Sequence, residues 1–222
     1  MESNTIWSFP DRGNWATHDG KYRGNWSPYI VRNLLLRYSF PGDLVLDQFV
    51  GGGTTLVEAK LLNRNAIGVD VNPAALQSCK EKCDFSYKTD SRVYIKRGDA
   101  RNLKFIPDST IDFVCTHPPY ADIIKYSEDI KEDISHFREK EFLLAMTQVA
   151  EESFRVLKLK KYCAILMGDM RKNGHVVSLG FKVMQEFQKA GFLLKEIIIK
   201  EQHNCKSTAY WKQKSKNVIF CF

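Results

Sequence analysis

Residues 44–55, LVLDQFVGGGTT, decide the fold. Leu44, Val45 and Leu46 form a short apolar run that closes at Asp47 and Phe49. Gly51, Gly52 and Gly53 follow, and Thr54 and Thr55 lead into a helical pattern. This is the order of a buried parallel strand, a glycine turn and a helix N-terminus. Glycine permits positive φ and close approach of a ligand to the backbone. The free amides of the first helical turn face whatever lies on the loop. Taken alone, the pattern fits a dinucleotide site, a nucleotide-methyl-donor site or a plain tight turn. No Gly-Lys-Ser/Thr follows, which argues against a phosphate-cradling P-loop.

Working outward, Ser27-Pro28 reads as an N-cap with proline at the first helical position. A stripe of Ile30, Val31, Leu34, Leu35 and Tyr38 then continues to Pro41-Gly42. Beyond the glycine loop a helix covers about 54–62, and residues 66–71 form a second strand ending near Asp70, seventeen residues past Gly53. A carboxylate there accepts both ribose hydroxyls of an adenosine cofactor in such a βαβ unit. The alternative is an ordinary strand-end cap, but Asn72-Pro73 already supplies a cap and a first-turn proline. Residues 93–99 form the third strand, with Asp99 and Ala100 placed for an adenine contact; Gly98-Asp99-Ala100 is equally a common turn. Residues 111–119 form the fourth strand and run into Tyr120. A polar, acid-rich stretch, 121–136, reads as a mobile lid or a partner contact. A long helix over about 137–157, a strand over 162–169, a turn at Asn173-Gly174, a helix over about 176–191, and strands over 193–201 and 218–222 complete the chain. Alternating strands and helices predict an α/β, doubly wound, mostly parallel seven-stranded sheet.

Length and composition agree. At 222 residues, 44% hydrophobic and 27% charged, the chain has the makings of one globular domain. We divide it into an N-terminal arm and helix (1–43) and a sheet core (44–222), with no separate target-recognition domain. The N-terminus, MESNTIWSFPDRG, lacks the apolar run of a signal peptide, and no stretch is long and apolar enough to span a bilayer; a cytoplasmic protein is expected. Net charge +7 permits a nucleic-acid partner without establishing one. Cys79 with Cys83, and His203 with Cys205, do not make a CxxC knuckle, so no metal is expected and the thiols are expected free. Trp7, Phe9, Trp15 and Trp26 make the arm too apolar for a disordered tail. They either pack on the domain or help close a ligand site.

The most specific feature is His117-Pro118-Pro119-Tyr120. Prolines cannot donate ladder hydrogen bonds, so the pair ends the fourth strand, and it does so at the carboxyl edge of the sheet, where α/β ligands bind. Here the chain resembles the class I S-adenosylmethionine-dependent methyltransferases that modify exocyclic amino groups of nucleic-acid bases. Their Phe-x-Gly-x-Gly-Thr loop is matched by Phe49, Gly51, Gly53 and Thr54, following Asp47. Their Asp/Asn/Ser-Pro-Pro-aromatic tetrapeptide is matched by residues 117–120. The resemblance covers nearly the whole chain from about Tyr22. It implies S-adenosylmethionine as cofactor, with the methionine part at the glycine loop, ribose on Asp70 and adenine near Asp99 and Ala100. It implies that His117 and the Pro118 carbonyl accept the two amino hydrogens of the target, that Pro119 completes the turn and that Tyr120 stacks on a base flipped out of the duplex.

Three departures qualify the match. His117 stands where the family has Asp, Asn or Ser; the target, cytosine N4 or adenine N6, stays open, with a lean to N4-cytosine from the helix that opens at Ser27-Pro28. A histidine of ordinary pKa, ~6.5, would make the chemical step titrate in an accessible range. Gln48 replaces a proline common between the loop's Asp and Phe. No target-recognition domain remains once the sheet is assigned, so readout is short, relaxed or borrowed from a partner subunit or a second copy. The final loop carries Lys206, Tyr210, Trp211, Lys212, Lys214 and Lys216 and no acids; lysines for phosphates and aromatics for bases fit nucleic acid, against the alternative of a plain solvated hairpin. The leading expectation is a DNA methyltransferase of the restriction-modification type. An RNA base methyltransferase and a catalytically silent, nucleic-acid-binding subunit are the rivals.

Overall fold

The structure, a computed structural model, describes residues 2–201 and residue 203. Its centre is a five-stranded, wholly parallel sheet: β2 (Leu44–Asp47), β3 (Asn65–Asp70), β4 (Val93–Arg97), β5 (Ile111–Thr116) and β6 (Leu157–Ile165), in the order β4-β3-β2-β5-β6. Helices α1 (Pro28–Tyr38), α2 (Thr54–Leu61), α3 (Pro73–Cys83), α4 (Glu139–Val156) and α5 (Leu179–Lys189) cover it. Two short pairings flank it. β1 (Ile6–Trp7) runs parallel to β9 (Ile199–Lys200), and β7 (Met170–Lys172) forms an antiparallel hairpin with β8 (His175–Val177).

Side-chain alternation explains the two layers. Along β2, Val45 joins the core shared with Val31, Leu56 and Cys79 of α1, α2 and α3, while Leu46 joins the opposite core. Along β5, Phe113 and Cys115 take the first side and Val114 the second. Every residue of β5 is buried, as a central parallel strand with both faces covered requires. On the far side α4 and α5 pack Met146, Val149, Val183 and Phe187 together.

The Rossmann-like, doubly wound reading holds. Five strands of the expected seven lie in the central sheet among the described residues; residues 218–222 fall outside them. Three boundaries move. The strand expected over 193–201 survives only as β9, paired with the arm rather than with the sheet. The strand expected over 162–169 begins at Leu157, directly from α4. The turn at Asn173-Gly174 belongs to the β7–β8 hairpin, which the helical pattern of the following stretch conceals. Ser27 starts α1 without a side-chain cap; its hydroxyl donates to the carbonyl of Arg12 (2.8 Å).

The arm is fixed by buried polar chemistry. Glu58 of α2, fully buried, accepts from Trp15 Nε1 (2.7 Å) and Arg32 Nη1 (2.9 Å), and its Oε1 lies 2.8 Å from His18 Nε2. A buried carboxylate persists where its lone pairs are filled in this way. Trp7 and Trp26 are both buried.

Candidate active site

Between β2 and β5 the strand order reverses, and a cleft opens at the carboxyl ends of these strands, where such a reversal leaves a crevice. It encloses about 730 Å³ of non-atom space open to solvent. Phe49 and Gly51 of the glycine loop, Asp70, Asp99 and Ala100, and His117 and Pro119 all line it. These seven residues of the predicted site converge on one cavity from four strand ends, while Pro118 and Tyr120 do not line it.

Asp70, at the end of β3, organises the glycine-loop side of the cleft. Its Oδ2 accepts from the Gly51 amide and its Oδ1 from the Asn72 amide, each at 2.9 Å. Burial pushes its carboxyl above the ordinary carboxylate value, and these amides pull it back. Asn72 does cap α3, accepting from the Ala74 amide (2.9 Å), as its spacing predicts. Asp70 is nevertheless not left idle: it ties the glycine loop to the end of β3, and each oxygen keeps a lone pair for a further donor. Asp99 accepts from the Arg101 guanidinium (2.7 Å at Nη2) and lines the cleft beside buried Ala100.

Asp47, Gly53 and Thr54 lie behind the cleft wall. Asp47 is buried and accepts from the Thr55 and Thr116 hydroxyls and the Phe49 amide. Burial pushes its carboxyl up to about 6. It pins the loop to the end of β5, so it shapes the site without facing it. Gly53 has φ 84, and a Cβ there would sit 2.8 Å from Cys79 Sγ and 3.2 Å from Cys79 Cα. Left-handed backbone strains any L-residue, and overpacking adds to it. Gly53→Ala is expected to lose about 2 kcal/mol of stability, measured by denaturant unfolding; an unchanged midpoint would show that α3 gives way freely.

On the target side His117 is held by aromatic neighbours. Its ring stacks on Trp26 (centroids 5.6 Å, 30°), and its Nε2 lies 2.8 Å from the Tyr120 hydroxyl. Burial lowers its pKa to about 4. This corrects the expectation of titration near neutrality: the ring is neutral throughout the ordinary pH range. Tyr120 leans its ring on Gly168, sets its hydroxyl against His117 Nε2, and joins the core that holds Met170 and Val177. Pro118 is buried and Pro119 lines the cleft.

The acid-rich segment 121–136 closes over this cavity. Tyr126 stacks on Tyr22 (6.4 Å, 14°), and its carbonyl accepts from Asn72 Nδ2 (2.8 Å). Asp133 and Ile134 join the lining. Tyr22, Tyr126 and Arg101 are lining residues that no motif marks. Trp26 had a signal, as an aromatic in an arm too apolar to be loose. Gln48, at the family's usual proline, is buried against α4. Its Oε1 lies 2.8 Å from Ser153 Oγ, while its Nε2 has no hydrogen-bond partner. The loop residues Lys206, Tyr210, Trp211, Lys212, Lys214 and Lys216 lie outside the described residues. Among those described, no group of three metal-ligating side chains occurs and no helix is long and apolar enough to cross a membrane.

The cavity suits S-adenosylmethionine. A buried acid with spare acceptor capacity stands at the second strand end of the unit, beside loop amides. When bound, the cofactor supplies an electrophilic methyl group on a sulfonium. Comparison with known proteins agrees. A family model described as RNA cap guanine-N2 methyltransferase matches residues 42–222, and one described as DNA methylase matches residues 1–81. The chain is 34% identical over 101 residues to the tRNA (guanine(10)-N2)-dimethyltransferase of Methanothermobacter thermautotrophicus, covering 45% of this chain and 29% of that one. It is 27% identical over 119 residues to the type II methyltransferase M.HpaI of Haemophilus parainfluenzae, covering 54% and 37%. The matched part thus spans less than two fifths of either relative. Among solved structures, TrmN from Thermus thermophilus superposes with a TM-score of 0.50 at 18% identity, over 69% of this chain and 48% of that one. The chain belongs to the family that the RNA cap guanine-N2 methyltransferase model describes.

Proposed function

We propose that the chain is a DNA methyltransferase that transfers the methyl group to an exocyclic amino nitrogen, cytosine N4 or adenine N6. The observation that carries this is the placement of His117-Pro118-Pro119-Tyr120 at the end of β5, with His117 and Pro119 lining the same cavity as Gly51 and Asp70. An amino nitrogen on a base has its lone pair delocalised into the ring. A neutral His117 nitrogen and the Pro118 carbonyl, each accepting one amino hydrogen, favour a more tetrahedral nitrogen. Positioning and electrostatics then carry the step, with no covalent intermediate on the protein. Asp70 is assigned the ribose, the glycine-loop amides the methionine part, and Asp99 with Ala100 the adenine. Tyr120 orients His117 through its hydroxyl and offers its ring to the base.

DNA is favoured by the DNA methylase match over residues 1–81, which include the glycine loop, and by several type II methyltransferases among the relatives. An amino group of RNA is the second reading, supported by the family model over residues 42–222 and by the tRNA guanine relative. We place the protein in the cytoplasm, where DNA and donor meet, and assign it no resident metal.

The reading is tested by nucleoside mass spectrometry after incubation with the donor and DNA; absence of any methylated amino nucleoside overturns it. The terminal lysines carry a separate expectation. Lys212→Ala, Lys214→Ala and Lys216→Ala together should flatten the salt dependence of nucleic-acid binding by roughly 0.7–0.9 per lost phosphate contact in the log–log slope. An unchanged slope would move the footprint elsewhere.

A further inference from the structure

We infer that the β7–β8 hairpin is a DNA-contacting ribbon that enters the major groove beside the target base; this rests on the DNA reading above. The hairpin is short and preformed. Met170 pairs with Val177, Arg171 with Val176 and Lys172 with His175. Asn173 (φ 51) and Gly174 (φ 81) both adopt the left-handed conformation of a two-residue type I′ turn, whose twist suits a hairpin. Its base is locked: Met170 is buried, and Val177 packs in the same core as Tyr120. Two residues before Met170, Gly168 runs so close to Tyr120 that a Cβ would meet the ring at 2.8 Å. The hairpin therefore springs from the floor of the target site, at the carboxyl end of β6.

All residues from Arg171 to Val176 are exposed, and residues 170–177 contain Arg171, Lys172 and His175 but no acid; the adjoining acid, exposed Asp169 at the foot of the hairpin, accepts from the Gly180 amide (3.2 Å). On the lid, by contrast, the exposed acids Asp122, Glu128, Asp129 and Glu132 outnumber the exposed Lys125 and Lys131, and the net negative charge repels a phosphate backbone. The field at the site mouth thus directs a polyanion towards the hairpin. The major groove of B-DNA admits a two-stranded ribbon. The deep, narrow major groove of A-form RNA does not. Alternation along the strands puts Arg171 and Val176 on one face and Lys172 and His175 on the other, so cations reach both groove walls while the tip approaches base edges.

The test uses the full chain with both Arg171→Ala and Lys172→Ala, and separately with Lys172→Ala alone and with Lys172→Glu alone. Binding to a labelled duplex DNA is titrated at several salt concentrations, with a labelled RNA hairpin in parallel. The double variant should lower the DNA log–log slope by about 1.8, from two lost phosphate contacts at about 0.9 each. Donor affinity should be unchanged, and RNA hairpin affinity should change little. Lys172→Glu should weaken duplex binding further than Lys172→Ala. Wild-type DNA methylation with an unchanged slope in the double variant overturns the ribbon assignment alone. Equal losses for duplex DNA and RNA overturn the groove assignment. A wild-type chain that neither binds nor methylates DNA overturns the DNA reading, and the ribbon with it.

Discussion

Replacing Asp70 with alanine lowers affinity for S-adenosylmethionine by roughly ten- to a hundredfold, the equivalent of about 1.5–3 kcal/mol for a lost charge-assisted, buried contact. The carboxylate does two things at once. It holds the Gly51 and Asn72 amides in place, and in the proposed reading its remaining lone pairs accept from the ribose. Asp70→Asn separates these. An amide keeps one acceptor oxygen but turns an N–H towards a position now occupied by a donor, so it should recover only part of the affinity. Nucleic-acid binding should be spared in both variants. Calorimetry showing wild-type donor affinity in Asp70→Ala would remove the ribose assignment.

Replacing His117 with leucine lowers the single-turnover rate of methyl transfer by about a hundredfold, the scale found when one preorganised hydrogen-bonding group is removed from a reacting centre. Donor affinity changes far less. Only the neutral imidazole has a lone pair to accept with, and burial keeps the ring neutral down to about pH 4. If Nε2 donates to the Tyr120 oxygen, Nδ1 carries that lone pair. The rate should then be flat from pH 5.5 to 8.5 as far as His117 is concerned. Trp26→Ala, which strips away the stacked indole, should move the ring's pKa back towards 6.5 and bring an acid limb into that range. Stability follows the same sign. The folded pKa lies below the unfolded 6.5, so the neutral ring's contribution is complete above pH 6.5 and is lost as pH falls towards 4, by up to about 3 kcal/mol. Asp47, raised to about 6, has the opposite slope between its ordinary value and pH 6. The His117 term is therefore read as the difference from His117→Asn. Wild-type transfer rates in His117→Leu would leave the Pro118 carbonyl as the sole acceptor.

The strand ends were legible in the sequence because motifs sit where periodicity changes. Asp70 and His117-Pro118-Pro119 each mark a place where an apolar run stops at the carboxyl edge, and one βαβ series aligns them. The lining that arrives from outside that series was not legible. Tyr22 and Tyr126 meet across more than a hundred residues by tertiary packing, and neither carries a local pattern. The pKa of His117 was misread for the same reason: its environment is set by Trp26, in an arm whose irregular sequence gives no geometry. Asp47 and Gly53 were legible as important residues but not as rear supports. Only the register of β2 beside β5 and the contact with Cys79 show that their side chains, or the lack of one, serve packing.

The most direct measurement is methyl transfer itself. The purified chain is incubated with isotope-labelled S-adenosylmethionine and separate pools of duplex DNA and structured RNA. Each pool is digested to nucleosides and the labelled nucleoside identified by mass spectrometry. The account predicts label in the DNA pool, on N4-methylcytosine or N6-methyladenine, and its loss in His117→Leu. Label confined to the RNA pool, or donor binding with no label in either, would contradict it.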